Sequence, residues 1–505
     1  MKTTLSDLIA QHPDAAPALG APGREWLSYA GLRQQAVDAR TSLRSFGISA
    51  KDRVAIVLPN GSDMASAFVC VAQAATTAPL NPNYREDEFA FYLEDLNAKA
   101  IILPDTYDGP ALAAAQKLGL MIVRLVAKSR AGEFSLHGPA ANPAADTQPN
   151  AQDVALILHT SGTTSRPKIV PLLQSNVAAS AQNIAQSLAL TADDRCLNVM
   201  PLFHIHGLVA AVAATFAAGG SIYCTEGFNA MNFFTMMTQA RPTWYTAVPT
   251  MHQAILSRAT RNADVIADIP LRFLRSSSAS LPAQVMEALN KTFNAPVIEA
   301  YGMTEAAHQM CCNPLDRQKP GSVGKAAGPK VAIAHEVENN LIDGTGEVVI
   351  SGPNVTPGYE SNPEANAKNF FDYNGERWFR TGDQGAFDAD GYLELTGRLK
   401  EIINRGGEKI SPLEVDGVLM DHPAIQQVVT FALPHPKLGE EVAAAVVLRD
   451  GQTAQEQDIR DFAAQRMADF KVPRKVVIMD EIPKGATGKM QRIGMAEKLG
   501  LVTPA

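Results

Sequence analysis

The sequence predicts an α/β protein: a large N-terminal domain of layered, mostly parallel sheets with helices and a β-rich subdomain, then a small α+β C-terminal domain. Three observations predict this. Short apolar runs alternate with helical or turn-rich stretches through the N-terminal part. After Lys330 the runs shorten and glycine turns separate them, and from about residue 401 a compact piece carries its own strands and a helix. At 505 residues the chain also exceeds what one hydrophobic core usually supports, so two or more domains are expected.

The elements follow in order. Residues 29–46 place Leu32, Ala36, Ala39, Leu43 and Phe46 at helical spacing with Gly47 as a stop, and "RVAIVLP" follows as a buried strand. The alternation continues through "AKAIILPD", "MIVRLVA", "VALILHT", "GSIYCTE" and "APVIEAYG". Ligands in such sheets gather beyond the carboxyl ends of the strands. Residues 132–153, rich in Pro, Ala and Asn, read as an irregular connector, and 208–218 as a buried helix. The strands "GEVVISG" and "GYLELTG" form the β-rich subdomain, about 330–398. The joint falls at "GRLKEIINRGG", giving an N-terminal domain 1–398, a hinge 399–400 and a C-terminal domain 401–505 with strands "QQVVTFALP", "EEVAAAVVL" and "KVVIMDE" and a helix near 456–468. No internal repeat is found.

Composition excludes several functions. Hydrophobic residues at 46% and charged residues at 19% fit neither a disordered nor a fibrous chain. A net charge of -8 without any dominant Lys/Arg run argues against a nucleic-acid partner, so an anionic ligand needs a local cluster. Five scattered cysteines with no C-x-x-C pair suggest neither a zinc ribbon nor a disulfide framework and fit a reducing compartment. The N-terminal apolar run breaks too early for a signal peptide, and 208–218 is far below the roughly 20 residues a bilayer requires, so no membrane partner is expected. The C-terminal "LVTPA" lacks a peroxisomal S-K-L signal, leaving the cytoplasm as the expected address. Oligomeric state is not legible.

The stretch "HTSGTTSRPK" at 159–168 follows a strand and concentrates small donors beside a cation. Thr160, Ser161, Gly162, Thr163 and Thr164 can offer backbone N–H groups and hydroxyls to a phosphate, Gly162 permits close approach, and Lys168 adds charge. That chemistry suits a polyphosphate, although the spacing is not that of a Walker loop. A flexible surface turn is the alternative.

"TSGTTSRPK", "EAYGMTEA", "WFRTGD", "GRLKEIINRGGEKISP" and "PKGATGKMQR" occur in the order and approximate spacing of the acyl-adenylate-forming superfamily, which the chain resembles over nearly its whole length. "PLFHIHGL", "SSSASLP", "MTEAAHQMCCNPL", "KPGSVGKAAGP" and "NRGGEKISPLEVD" look like its oxalate–CoA ligase branch. The resemblance implies that a carboxylate attacks the α-phosphate of ATP, expels pyrophosphate and leaves an acyl-AMP for a thiol, so that ATP, Mg2+ and CoA are expected partners. Both steps build negative charge on oxygen, so fixed donors and cations should dominate catalysis.

By that resemblance Lys489 is the catalytic lysine bridging carboxylate and α-phosphate, Glu305 the Mg2+ ligand, and Thr304 a phosphate donor. Tyr301 would stack on adenine, Asp383 accept from ribose hydroxyls with Arg398 reinforcing it, and Ala279 and Ala300 complete the nucleotide site. Their bland counterparts are a solvated lysine, a core tyrosine, an Asp-Gly turn and a surface arginine. The family swings its mobile C-terminal domain between two half-reactions. Lys400 lies where its hinge residue lies, and Gly406 and Gly407 would line the CoA tunnel, their alternative being an ordinary tight turn.

The family's acyl pocket falls on "FHIHG", "SSSAS" and "EAAHQ", where His206, Ser278 and His308 could bind a second carboxylate. A small dicarboxylate, oxalate, is therefore the expected acid. Malonate is the near alternative, because one methylene changes preference by only about 1 to 3 kcal/mol. His204 and His206 are interchangeable at this level. An H-x-H metal site on a strand lacks a third ligand. Ile169 and Gly485 depart from the family's usual glycine and threonine, neither removing a charged group. The rivals are loading of a carrier-protein thiol, oxidative chemistry of the luciferase kind and a non-catalytic nucleotide-binding scaffold.

Overall fold

The computed structural model describes residues 2–160, 167–483 and 490–502. Two large sheets form the body. A seven-stranded sheet runs Phe134–His137, Met121–Ala127, Ala100–Pro104, Arg53–Ile56, Thr76–Pro79, Val154–Thr160 and Lys168–Leu173, parallel in its interior with an antiparallel strand at each edge. A nine-stranded sheet carries the parallel strands Val297–Met303, Phe273–Ser277, Trp244–Ala247, Arg195–Asn198 and Ser221–Cys224 at its centre. Strands covered on both faces must be apolar throughout, which is why "VALILHT" and its counterparts read as continuous runs rather than alternations.

Helix Ser62–Val71, buried except at Asp63, lies between the two sheets and contacts strands of both. Helix Tyr29–Ser45 covers them with Leu32, Ala36, Ala39 and Leu43 inward, and Ser28 caps it by accepting from the Gly31 N–H. The principal hydrophobic core joins residues of both sheets and these helices.

An antiparallel five-stranded sheet includes Lys330–Ala334, Gly346–Ser351, Glu376–Phe387 and Leu393–Arg398. The remaining sheet has its own core, built on the long pair Ile425–His435 and Gly439–Leu448 with Lys475–Ile478 alongside and helices Pro412–Met420 and Glu456–Ala464 packed on it. No helix among the described residues is long and apolar enough to cross a membrane.

Local readings need correction at two places. The connector 132–153 contains a strand, Phe134–His137, which pairs antiparallel with Met121–Ala127, its four residues being too short to register as a run. The H-x-H pair is not on a strand: His204 lies in a bend and His206 opens the π-helix His206–Ala213, which continues as the α-helix Ala214–Ala218. The two rings therefore share no strand face.

Candidate active site

The strands that carry the site are, in chain order, β1 (Val154–Thr160), β2 (Lys168–Leu173), β3 (Trp244–Ala247), β4 (Phe273–Ser277), β5 (Val297–Met303), β6 (His308–Cys312), β7 (Glu376–Phe387) and β8 (Leu393–Arg398). Because β3, β4 and β5 are parallel and in register, their carboxyl ends release Ser278 and Thr304 at one edge, where such sheets place ligands.

Thr160 and Lys168 face each other across the β1–β2 pair; Ser161, Gly162, Thr163 and Thr164 lie outside the described residues. The Lys168 ammonium stands 4.4 Å above the centre of the Tyr359 ring, and burial lowers its proton affinity against the opposing pull of Glu305. Tyr359 donates its hydroxyl to Glu305 at 2.8 Å. Glu305 is buried, and burial pushes its carboxyl up against the Tyr359 hydrogen bond and the Lys168 charge. Thr304, half-buried, opens the single 3-10 turn Thr304–Ala306 that carries Glu305. Sequence reasoning missed Tyr359, which sits 54 residues from Glu305.

Tyr301 donates its hydroxyl to Asp383, and Arg398 Nε lies 3.5 Å from the same carboxylate, β7 and β8 pairing Asp383 with Arg398. The three residues thus form one cluster. Ala300 accepts a hydrogen bond from the Ser277 hydroxyl at 2.8 Å. Ala279 is exposed and shares a cavity of about 50 Å³ with Met490 of the C-terminal tail. Lys489 lies outside the described residues, while its neighbour Met490 stands at this rim.

A cluster of polar side chains forms from three elements. His206 Nδ1 lies 3.0 Å from Ser278 Oγ and its Nε2 2.6 Å from Thr246 Oγ1. His308 is buried, its ring centre 5.1 Å from that of His206. The His204 ring instead lies tilted against that of Phe203, 4.4 Å between centres, and His206 is the one that meets Ser278. Ser278 (φ 75°), Ala307 (φ 47°) and His308 (φ 100°) all occupy the left-handed region, a costly conformation for side-chain-bearing residues that clusters at functional sites. Among the described residues no set of three metal-ligating side chains exists.

Sequence reasoning also missed Arg275, fully buried on β4 beside Thr246 of β3, and held by burial at about 10, still a cation at neutral pH. Its sequence context, "RFLRSSS", gives little signal, because Arg272 stands three residues before it and polar serines follow. Lys400 sits exposed in the turn after β8, and Gly406 (φ 61°) and Gly407 (φ 99°) make the tight turn between strands Ile403–Arg405 and Glu408–Ile410, where left-handed backbone requires glycine.

A double-sheet α/β body with a smaller appended sheet, a lysine set near a buried glutamate, and a cluster of polar side chains at the strand ends are the features of an adenylate-forming enzyme. The chain belongs to the AMP-binding enzyme family: residues 5–360 match its family model, and residues 414–489 match the AMP-binding enzyme C-terminal domain. It is 44% identical over 501 residues to an oxalate–CoA ligase from Arabidopsis thaliana, covering 97% of this chain and 96% of that one. An oxalate–CoA ligase from Saccharomyces cerevisiae is 43% identical over 477 residues, covering 88% and 87%. Among solved structures, ATP-bound MatB from Rhodopseudomonas palustris superposes with a TM-score of 0.88 at 27% identity, covering 99% of both chains.

Proposed function

We propose that this AMP-forming acyl-CoA synthetase joins oxalate to CoA through an oxalyl-adenylate. One oxalate oxygen attacks the α-phosphorus of ATP, the bond to the bridging oxygen of the β-phosphate breaks, and pyrophosphate leaves. The CoA thiol, losing its proton, then attacks the activated carbonyl and AMP departs. The observation that carries the choice of acid is the polar wall of His206, Ser278 and His308, which offers donors where an aliphatic acid would want apolar contact. The oxalate–CoA ligase relatives support the same reading.

In this reading Lys168, with the donors of 160–164, cradles the polyphosphate, Thr304 donates to phosphate, and Asp383 with Arg398 grips the ribose. Tyr301 orients Asp383 through its hydroxyl while its ring packs beside adenine, between Ala279 and Ala300. Lys489 supplies the ammonium that neutralises the reacting oxyanions. Glu305 fits Mg2+, since a buried carboxyl next to a lysine is a hard oxygen donor whose ionised form a divalent cation favours. Bound there, Mg2+ would offset the charge of the polyphosphate. Residues 1–398 form the nucleotide-binding domain with its β-rich part at about 330–398. Lys400 in the hinge 399–400 turns the domain 401–505, so that Gly406 and Gly407 flank the CoA thiol. Five buried free cysteines accord with a cytoplasmic address.

The test is AMP release with CoA across acetate, malonate, oxalate and long-chain acids. Oxalate is expected to be preferred; turnover of acetate or a fatty acid at the oxalate rate overturns the choice of acid.

A further inference from the structure

Arg275 lies in the middle of β4, a strand with all five residues buried, at the centre of the nine-stranded sheet. A guanidinium so placed usually meets a carboxylate. Among the described residues none forms an ion pair with it. Its Nη1 is 3.5 Å from His206 Nε2 and 3.4 Å from Thr246 Oγ1, its Nη2 is 3.3 Å from Gln309 Oε1, and its Nε has no hydrogen-bond partner. These contacts are long for charged donors, and all the acceptors are neutral. The nearest titratable groups besides His206, the thiols of Cys196 and Cys312, are held protonated by burial. A full positive charge is therefore buried without a counterion, an arrangement that disfavours the fold unless something else answers the charge.

The hydrogen bonds show where the charge is directed. Guanidinium can only donate. The Thr246 hydroxyl accepts from Arg275 and can then give its own proton to His206 Nε2 at 2.6 Å. With Nε2 an acceptor, the ring proton sits on Nδ1, which donates to Ser278 Oγ at 3.0 Å. Ser278, having accepted, has its own O–H left to point into the acid pocket. An imidazolium at His206 would stand against the guanidinium.

Building on the proposed acid site, we propose that Arg275 is a positioning and specificity-determining residue. It fixes the Nδ1–H form of His206, thereby orienting Ser278 as a donor to the distal carboxylate, and it is the buried cation whose counterion is a dianionic acid. The acid's second charge answers, across the Thr246–His206–Ser278 relay, a cation that the protein leaves unpaired. A monoanion of the same shape gains the hydrogen bond and not the charge.

Oxamate, the monoamide of oxalate, has that shape with one charge fewer. For Arg275→Met the KM for oxalate is expected to rise about 100-fold, as when one member of a buried charge pair is removed. The KM for ATP should stay within about twofold, since Arg275 touches no group placed in the nucleotide site, and the preference for oxalate over oxamate should collapse. Arg275→Lys should recover part of that preference. A folded Arg275→Met enzyme that keeps the oxalate-to-oxamate ratio overturns the proposal. Should that variant not fold, long-range 1H–15N spectra of the unaltered enzyme decide, with the His206 signal assigned by its loss in His206→Asn: an Nε2–H ring or an imidazolium overturns the assignment. An unaltered enzyme that ignores oxalate sinks the choice of acid instead, whatever the tautomer.

Discussion

Glu299 sits on β5 opposite Ser276 of β4, fully buried, and accepts from the Leu281 N–H at 2.9 Å. Burial raises its carboxyl from 4.5 to about 8, the Leu281 bond only partly opposing this. The folded protein thus keeps a proton that the unfolded chain releases, so stability is greatest below about 4.5, falls as pH rises, and levels off above about 8. Glu299→Gln keeps an acceptor for Leu281 and removes the titration. At pH 7 the variant should be more stable by on the order of 3 kcal/mol, an upper figure, and the gain should vanish near pH 4.5. Tm measured from pH 5 to 8 checks this, and parallel curves for the two proteins would refute it. At this scale the sequence was uneven. Glu305, Thr304 and Tyr301 were legible because one short motif carries all three, and Lys168 because it closes the run of small donors. Arg275, Thr246 and Tyr359 were not: their placement comes from strand register and from loops meeting across many residues, and of the two arginines in "RFLRSSS" the sequence does not announce which one points inward.

Elements position the His206–Ser278–His308 cluster through backbone conformations that few residues tolerate. Gly302 lies in the β5–β6 pair beside an irregularity in register, and a Cβ there would lie 2.0 Å from the carbonyl oxygen of His308 and 3.1 Å from its Nδ1. Its backbone is not left-handed, so the requirement is close approach alone. Gly302→Ala must spread the hairpin and carry His308 with it. Misplacing a binding group by about 1 Å can cost about 100-fold, and overpacking typically about 1–3 kcal/mol. A rise of about tenfold or more in KM for the acid, with a lower Tm, is therefore expected from steady-state kinetics and thermal unfolding; an unchanged KM would show that His308 does not hold the acid. The alternation of elements could be read from apolar runs with turn signals between them, including the switch to short strands after Lys330. The π-helix at His206 could not, because its apolar composition is that of any buried helix and only the hydrogen-bond spacing distinguishes it.

At the scale of the whole molecule, among the described residues the C-terminal sheet meets the body through polar contacts that include Ser411 donating to the Thr396 carbonyl, Lys409 pairing with Glu336 at 2.8 Å, and Gln284 donating to Asp421. Arg492, just beyond Lys489, bonds Asp416 and the Thr430 carbonyl and lies 3.5 Å from Glu401, which follows Lys400. The tail that follows Lys489 is thus anchored to the same small unit that turns at Lys400 in the proposed reading. Loss of the lysine and loss of hinge freedom should then separate the two half-reactions. Under the proposed mechanism Lys489→Ala removes the charge that answers the reacting oxygens, so acid-dependent pyrophosphate exchange into ATP should fall by about 100-fold or more. Lys400→Pro fixes φ near −65° and removes an N–H, so adenylation should persist if the turn already matches the adenylating pose, while thioester formation slows. Exchange assays beside single-turnover CoA capture measure both. Equal losses in the two assays for Lys400→Pro would mean that one pose serves both steps, and undiminished exchange in Lys489→Ala would mean that another cation neutralises the reacting oxygens.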